Sequence, residues 1–459
     1  MDARFYGFDD IMKSFGLGDN KALEVWYNRY FKDRETMGLN IDGFTWDTAQ
    51  IDFTYEFGEV EETITAMATY LDLNSPAVPR GKDISIQKFG GYIPRQKRLE
   101  TKGENDFRRE LIAMGRISQA AELRGESPYK SLREYLAQNL LTTVAGFPDS
   151  HAQSLTYQVG QMKSAGSLTL TDVNNPGGII GIEFKSNVPA ENVHDTIYWT
   201  VDDDGNVTYD ETKHPIEDFQ EFMRKLKWDG TYGAAEGEID ETETFRTLMR
   251  HPDIKKAIGY MVIGGLYVSG KSNADADKRA TEAGGYTLLS STVEQEKEWL
   301  RQLLKLDKIT LHNNVVGVAK YDKTTKKMVV NTLKAFNPGV LVIRPVGNIG
   351  TIKNVAPLRP DGSAISGSIF EGRGIIEYFY DPKTRVQTWQ SELTALAVPN
   401  RPRKIHRFNL VGKTTTYTAV DSPTGNPSTQ GWYEKDSSGE YVLTTDTTVQ
   451  SGKTYYTKS

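Results

Sequence analysis

The sequence predicts an α+β chain of several units, closed by a small β module of different composition. Three observations carry this. At 459 residues the chain exceeds what one compact core accommodates. Helical and strand periodicities fill separate long stretches, with no run of short βα units. Residues 413–459 are rich in Thr, Ser, Tyr and Gly and almost without Leu or Ile.

The elements follow in order. Residues 1–50 read as an arm with one helix, capped by Asp19-Asn20 and carrying Leu23, Val25, Trp26 and Tyr30. It packs on its own domain or on a neighbouring subunit. Residues 51–103 read as an extended β-arm. Ile51–Phe57 and Thr63–Leu73 alternate as strands, Ser75 to Lys82 breaks the pattern, and Ile84–Gly91 returns. Residues 104–190 begin with helix. Phe107, Leu111, Met114, Ile117 and Ala121 recur at three and four, and Pro128 restarts the helix after Gly125. Gly146-Phe147-Pro148 is expected to break it again, with Asp149 or Ser150 opening a last segment that Gly166 stops. Ser167–Thr171 is then a strand and Asn174 to Gly178 a tight turn.

Residues 191–345 read as mixed α/β. Asp202 to Asn206 is a hairpin turn between two strands. Pro215–Lys227 is an amphipathic helix, and His251-Pro252 separates two short ones. Ser291 to Glu294 is a capping box opening a helix through Leu306. Val315–Tyr321 with Met328–Leu333, and within residues 346–412 Gly374–Tyr380 with Val386–Ala397, read as hairpins. In residues 413–459 a Pro/Gly/Ser linker precedes two or three short strands, too few to be stable without docking.

Composition excludes several function classes. Hydrophobic residues make up 38% and charged residues 25%, ordinary for a soluble protein. A net charge of −6 argues against a chain whose task is coating nucleic acid. The absence of cysteine excludes disulfides, thiolate metal sites and a cysteine nucleophile, and fits a reducing compartment. The acidic, aromatic N-terminus is not the pattern of a signal peptide. The longest apolar run, near Ala257–Val268, is broken by Gly259, Gly264 and Gly265 and is too short to span a bilayer.

Gly265 to Ser272 matches G-x-x-x-x-G-K-[ST]. In a phosphate-binding context Lys271 would reach the β/γ-phosphates and Ser272 would hold magnesium. The context is missing: Asn273–Ala283 is a poor apolar helix that soon reaches Gly284-Gly285, and no βαβ alternation surrounds it. Asp202-Asp203-Asp204-Gly205 lacks calcium-loop spacing and reads as a charged turn. No G-x-S-x-G or H-E-x-x-H pattern occurs, and the six histidines show no ligand spacing. The carboxylates near Glu59 and Glu236 read as solvated loops. Two basic clusters, Arg95 to Lys102 and Arg401 to Arg407, lack interleaved stacking aromatics. They read as solvated or as meeting acidic faces of neighbouring subunits.

Four parts in this order resemble tailed-bacteriophage major capsid proteins of the lambda type. They are the two arms, the helix ending Val159-Gly160-Gln161-Met162-Lys163-Ser164-Ala165-Gly166 before a strand, Asn174-Asn175-Pro176-Gly177-Gly178 followed by Pro215-Ile216-Glu217-Asp218, and the closing hairpin running into Leu396-Ala397-Val398-Pro399-Asn400-Arg401-Pro402. The resemblance covers about residues 40–411. It implies the Hong Kong-type capsid fold: an N-arm, an E-loop (51–103), a peripheral domain with a long spine helix (104–190, closed by 346–412) and an axial domain (191–345). The 413–459 module departs from the family.

The resemblance also implies a non-enzymatic protein, without cofactor, that self-assembles into hexamers and pentamers of an icosahedral head shell around double-stranded DNA. Implied partners are further copies, portal and scaffolding proteins, auxiliary or decoration proteins, and packaged DNA held non-specifically, with no membrane. The location is the virion, assembled in the host cytoplasm. The expected inter-subunit contacts are Arg80, Lys82, Lys88, Arg95, Lys97, Arg98, Arg401, Arg403 and Arg407. Some relatives crosslink an E-loop lysine, and Lys82 and Lys88 lie in that segment, but no motif marks an acceptor. The alternatives are a nucleotide-binding enzyme using Lys271 and Ser272, or another virion protein, either a tail tube or a glycan-binding surface protein using Trp432, Tyr433, Tyr455 and Tyr456.

Overall fold

The computed structural model describes residues 39–60, 86–102, 128–202, 204–226, 234–263, 274–322, 327–357, 365–381, 386–413, 417–420, 423–430, 432–435, 441–450 and 453–458, with isolated positions at 109–125 and 324. The expected N-terminal helix, the strand at 63–73, the helix face at 107–121 and the glycine-rich motif at 265–272 lie outside these residues.

One helix, α1 (Pro128–Ser164), organises the first half of the described chain. Its 37 residues span about 55 Å at 1.5 Å per residue. Ala152, Leu155 and Val159 recur at three and four and bury against Trp389, Leu393, Ala395 and Ala397 of a six-stranded sheet. That sheet runs β1 (Phe44–Trp46), β14 (Gly350–Asn354), β17 (Val386–Pro399), β16 (Gly374–Asp381) and β15 (Ile365–Ile369), with β4 (Arg95–Lys102) also on β17. Only β1 and β14 pair in parallel.

The expected break at Gly146-Phe147-Pro148 does not occur: α1 runs through Pro148. An interior proline costs a helix about 3 kcal/mol. Here Phe147 and Pro148 are both buried, Ser150 Oγ donates to the Phe147 carbonyl at 2.8 Å, and Arg98 donates to the Gly146 carbonyl. Burial of the turn outweighs its local preference. The stop falls where expected. Gly166 has φ +77°, and the amides of Ala165 and Gly166 both donate to the Gln161 carbonyl.

The second six-stranded sheet runs β10 (Lys308–His312), β9 (Ala235–Asp240), β13 (Val340–Pro345), β18 (His406–Lys413), β7 (Val193–Val201) and β8 (Val207–Tyr209). Its helices are α2 (Pro215–Lys225), α3 (Arg246–Met249), α4 (Pro252–Ile263), α5 (Ala274–Ser290) and α6 (Val293–Leu304). Phe219, Leu248, Ile254, Ile258, Leu300 and Leu304 from these helices share one core with Ile239, Leu341, Ile343 and Phe408 from the strands. β18 joins this sheet although its sequence follows the closing hairpin of the other.

Two local expectations shift. The capping box is Thr292 with Gln295, one residue beyond the expected pair, while Ser291 Oγ donates to Glu296. Gly284-Gly285 does not end α5. A Cβ on Gly284 would lie 1.9 Å from the Lys255 carbonyl oxygen, and one on Gly259 would lie 1.7 Å from that of Ala280. These glycines let α4 and α5 touch backbone to backbone.

Three strand pairs stand apart from the large sheets: β2 (Thr54–Val60) with β3 (Ile86–Tyr92), β5 (Ser167–Thr169) with β6 (Glu183–Lys185), and β11 (Val315–Asp322) with β12 (Lys327–Lys334). The C-terminal module is a four-stranded sheet ordered β19 (Tyr417–Ala419), β22 (Tyr456–Lys458), β20 (Tyr433–Lys435), β21 (Tyr441–Leu443). Tyr455 is buried 5.9 Å from the Trp432 ring, and its hydroxyl donates to Asp446 at 2.7 Å. Those two aromatics form the module's own small core.

Candidate assembly site

A buried ionic cluster fixes the N-terminal segment, α1 and the second sheet to one another. β9 is covered along its whole length, so the carboxylates of Glu236 and Glu238 must find partners inside. Lys163, near the end of α1, donates to both oxygens of Glu238 at 2.9 Å. His312 Nε2 lies 2.8 Å from Glu238, its ring stacked on Phe336. Arg344 donates to Glu238, approaches Glu236 at 3.2 Å, and reaches out to Asp42 at 3.1 Å. Lys308 closes the group on Glu236 at 2.7 Å.

Burial opposes the charge on Glu238, but Lys163, the His312 hydrogen bond and Arg344 together hold its carboxyl well below the usual range. Oxygens of Asp42, Glu236 and Glu238 converge within 4.8 Å, the spacing a cation would need. Lys163, Lys308 and Arg344 already neutralise those three carboxylates, so the arrangement is a structural clamp. The carboxylates near Glu236, expected as solvated, are instead its centre. The missed signal was Glu236 and Glu238 alternating with Gly237 and Ile239 in a short β-compatible run.

The basic residues expected at subunit contacts are dispersed. Arg80 and Lys82 lie outside the described residues. Lys88 lies in β3, opposite Gly58. Arg95 and Lys97 bind Glu392 at 3.0 and 3.2 Å across the β4–β17 pair, with nearly half of each side chain exposed. Arg98 reaches Gly146, Glu100 and the Phe147 ring with 37% of its side chain exposed. Arg401 is exposed, whereas Arg403 is partly buried in the turn Pro402–Lys404, its carbonyl accepting from Asn192. Arg407 caps α1: its Nε donates to the Ser164 carbonyl at 2.9 Å, and a Cβ on Gly166 would lie 2.1 Å from its Nη1.

Exposed aliphatics are a feature the basic clusters did not flag. After α1, Val173, Ile179 and Ile180 point to solvent from a loop held stiff by Asn174 and Asn175, whose side chains bond the backbone at Thr169, Thr171 and Ile179. Val315, Met328, Val329 and Val330 are exposed on the β11–β12 hairpin. Met261, Val262 and Ile263 end α4, and Tyr286 and Leu289 lie late in α5. These exposed aliphatics lie on four separate segments of the chain. The Ile179-Ile180-Gly181-Ile182 run inside a Gly/Pro/Asn loop was the legible sign.

No protein-family model matches the chain, and no curated protein matches it. Among solved structures, it is similar to a prophage protein of E. coli CFT073 described as a capsid protein, at 11% identity and TM-score 0.40, covering 84% of this chain and 98% of that one. It is also similar to the satellite phage P4 procapsid, at 10% identity and TM-score 0.37, with 86% and 92% covered. A third is the mature capsid of bacteriophage PhiM1, at 10% identity and TM-score 0.35, with 81% and 87% covered. All three are described as phage or prophage capsid structures.

Proposed function

We propose that this chain is a major capsid protein of the Hong Kong type, whose copies associate into hexamers and pentamers of a phage head shell. The observation that carries the proposal is the combination of a two-stranded pair, β2–β3, that joins neither large sheet among the described residues, with aliphatic side chains exposed on separate segments. A monomeric enzyme needs neither. A subunit that closes rings through different surfaces on its two sides needs both. The order of parts supports the same reading: arm, long helix on a sheet, a second sheet-and-helix unit, and closing strands. In this assignment α1 is the spine helix, the sheet under it the peripheral domain, the second sheet with α2 to α6 the axial domain, and β2–β3 the E-loop. The role is structural, not catalytic. Portal, scaffold and decoration proteins would be partners, the enclosed DNA a non-specific one, and the virion the location. Among the described residues no helix is long and apolar enough to cross a membrane.

Sedimentation velocity tests the proposal. Concentrated chain should populate discrete five- and six-subunit species or closed shells. A strictly monomeric chain whose melting temperature rises with magnesium-ATP, and not after Lys271→Ala, would favour the nucleotide-binding alternative.

A further inference from the structure

The histidines show no ligand spacing along the sequence, yet the fold brings two of them together. His194 lies in β7 and His406 in β18, 212 residues apart in the chain. The two strands pair in parallel, with Phe408 opposite His194. His406 stands two residues before Phe408, so alternation along the strand puts both imidazoles on one face of the sheet. His194 Nε2 faces His406 Nδ1 at 3.4 Å. An N–H hydrogen bond of good geometry spans about 2.7–3.2 Å. Two imidazole nitrogens that each lie about 2.0–2.1 Å from one tetrahedral ion stand about 3.3 Å apart. The observed separation suits a shared ion better than a shared proton.

Aromatic neighbours hold both rings in place. Phe408 stacks on His194, with centroids 4.5 Å apart and planes 23° from parallel. Phe222 of α2 stands across both imidazoles, 5.5 Å from His194 and 5.1 Å from His406. Rings already fixed lose little freedom when they bind a ligand. Both histidines are only partly buried, so water can fill the remaining positions around an ion. With no cysteine in the chain, imidazole is the ligand that suits a nitrogen-preferring metal. We infer that His194 and His406 together bind one divalent transition-metal ion of the zinc, nickel or copper type, completed by water. Magnesium and calcium, which take oxygen ligands, do not suit the pair. The ion ties β7 to β18, the strand that enters the second sheet after the closing hairpin of the first. It favours the folded chain, because unfolding separates the two ligands, and so it stabilises the second sheet. The inference does not depend on the shell reading.

The test uses the full chain, stripped of metal with a chelator. It is titrated with zinc chloride by calorimetry and melted with and without the ion. Saturable binding of one zinc ion per chain at this pair is expected, together with a rise in melting temperature that magnesium chloride does not produce. His194→Gln and His406→Gln should each abolish both effects. His214→Gln, outside the pair, should leave them unchanged. In case either variant misfolds, electron paramagnetic resonance of the unaltered chain with copper(II) reads the ligands directly. Splitting from two imidazole nitrogens is the expected signature. Absence of saturable zinc binding, zinc binding that persists in both variants, or a copper spectrum with fewer than two imidazole nitrogens would overturn the inference. So would equal stabilisation by magnesium, which would place the ion on the carboxylates of Asp42, Glu236 and Glu238 instead.

Discussion

At the residue scale the clearest consequence concerns the buried ion pair. Removing one partner of such a pair leaves a charge without compensation and costs about 3–5 kcal/mol. Glu238→Ala should therefore lower stability by that order, measured by chemical denaturation. Joining it to Lys163→Met should recover part of the loss, because Arg344 keeps Glu236 and Asp42. An additive double variant would contradict the clamp. A second consequence is acid sensitivity. Burial, then the charge of Arg98, pulls His151 down to about 4 from 6.5; burial, then His194, does the same to His406. Both are neutral in the folded chain at neutral pH. Below 6.5 the unfolded chain takes up protons first, so stability is full above that pH and falls until the folded histidines protonate near 4. For His151 the fall amounts to about 3 kcal/mol. His151→Gln should flatten the decline between pH 6.5 and 4, and an unchanged slope would exclude the histidine as its source. The Glu-Gly-Glu-Ile alternation marked a strand but not the partners that cover it, and the scattered histidines carried no sign of their burial.

At the scale of elements, local signals worked where the backbone itself needs a residue type. Gly166 stops α1 because φ is +77° and Arg407 crowds the position. Asp202 to Asn206 turns a hairpin, Pro215 opens α2, and the strand pairs 315–322 with 327–334 and 374–381 with 386–399 fall where alternation put them. Signals failed where tertiary contact overrules propensity. Pro148 stays inside α1 because its turn is buried, and Gly284 stays inside α5 because α4 comes close enough to need it, whereas Gly285 meets no such neighbour. Gly259→Val should destabilise the α4–α5 pair by about 1–3 kcal/mol or more, through forced separation of the two helices. Local hydrogen exchange in α4 and α5 would show it, with α1 unaffected. Equal exchange in variant and parent would mean the close approach is not constraining.

At the scale of the whole molecule, the order of parts was more legible than any one of them. The long helix ending at Gly166 and the strand pairs of residues 315–334 and 374–399 can be placed from the sequence. What could not be placed was which strands share a sheet, because partners as distant as β1 and β14, or β7 and β18, meet through packing and not through sequence proximity. Of the basic residues expected at contacts, Arg98 also bonds the Gly146 carbonyl and Arg407 the Ser164 carbonyl within the chain, while the exposed aliphatics were not singled out from the sequence. The tail holds a four-stranded sheet of its own. Lys453 bridges Glu434 and Asp446, and Tyr455 is buried beside Trp432. Deleting residues 414–459 should leave the melting temperature of the body and its ring formation unchanged. A large drop in either would mean the module is part of the shell's structure. The central claim is tested most directly by negative-stain electron microscopy of the full chain, at high concentration and with a crowding agent. Five- and six-fold rings or closed shells are the predicted result, and a chain that stays monomeric while magnesium-ATP raises its melting temperature would contradict it.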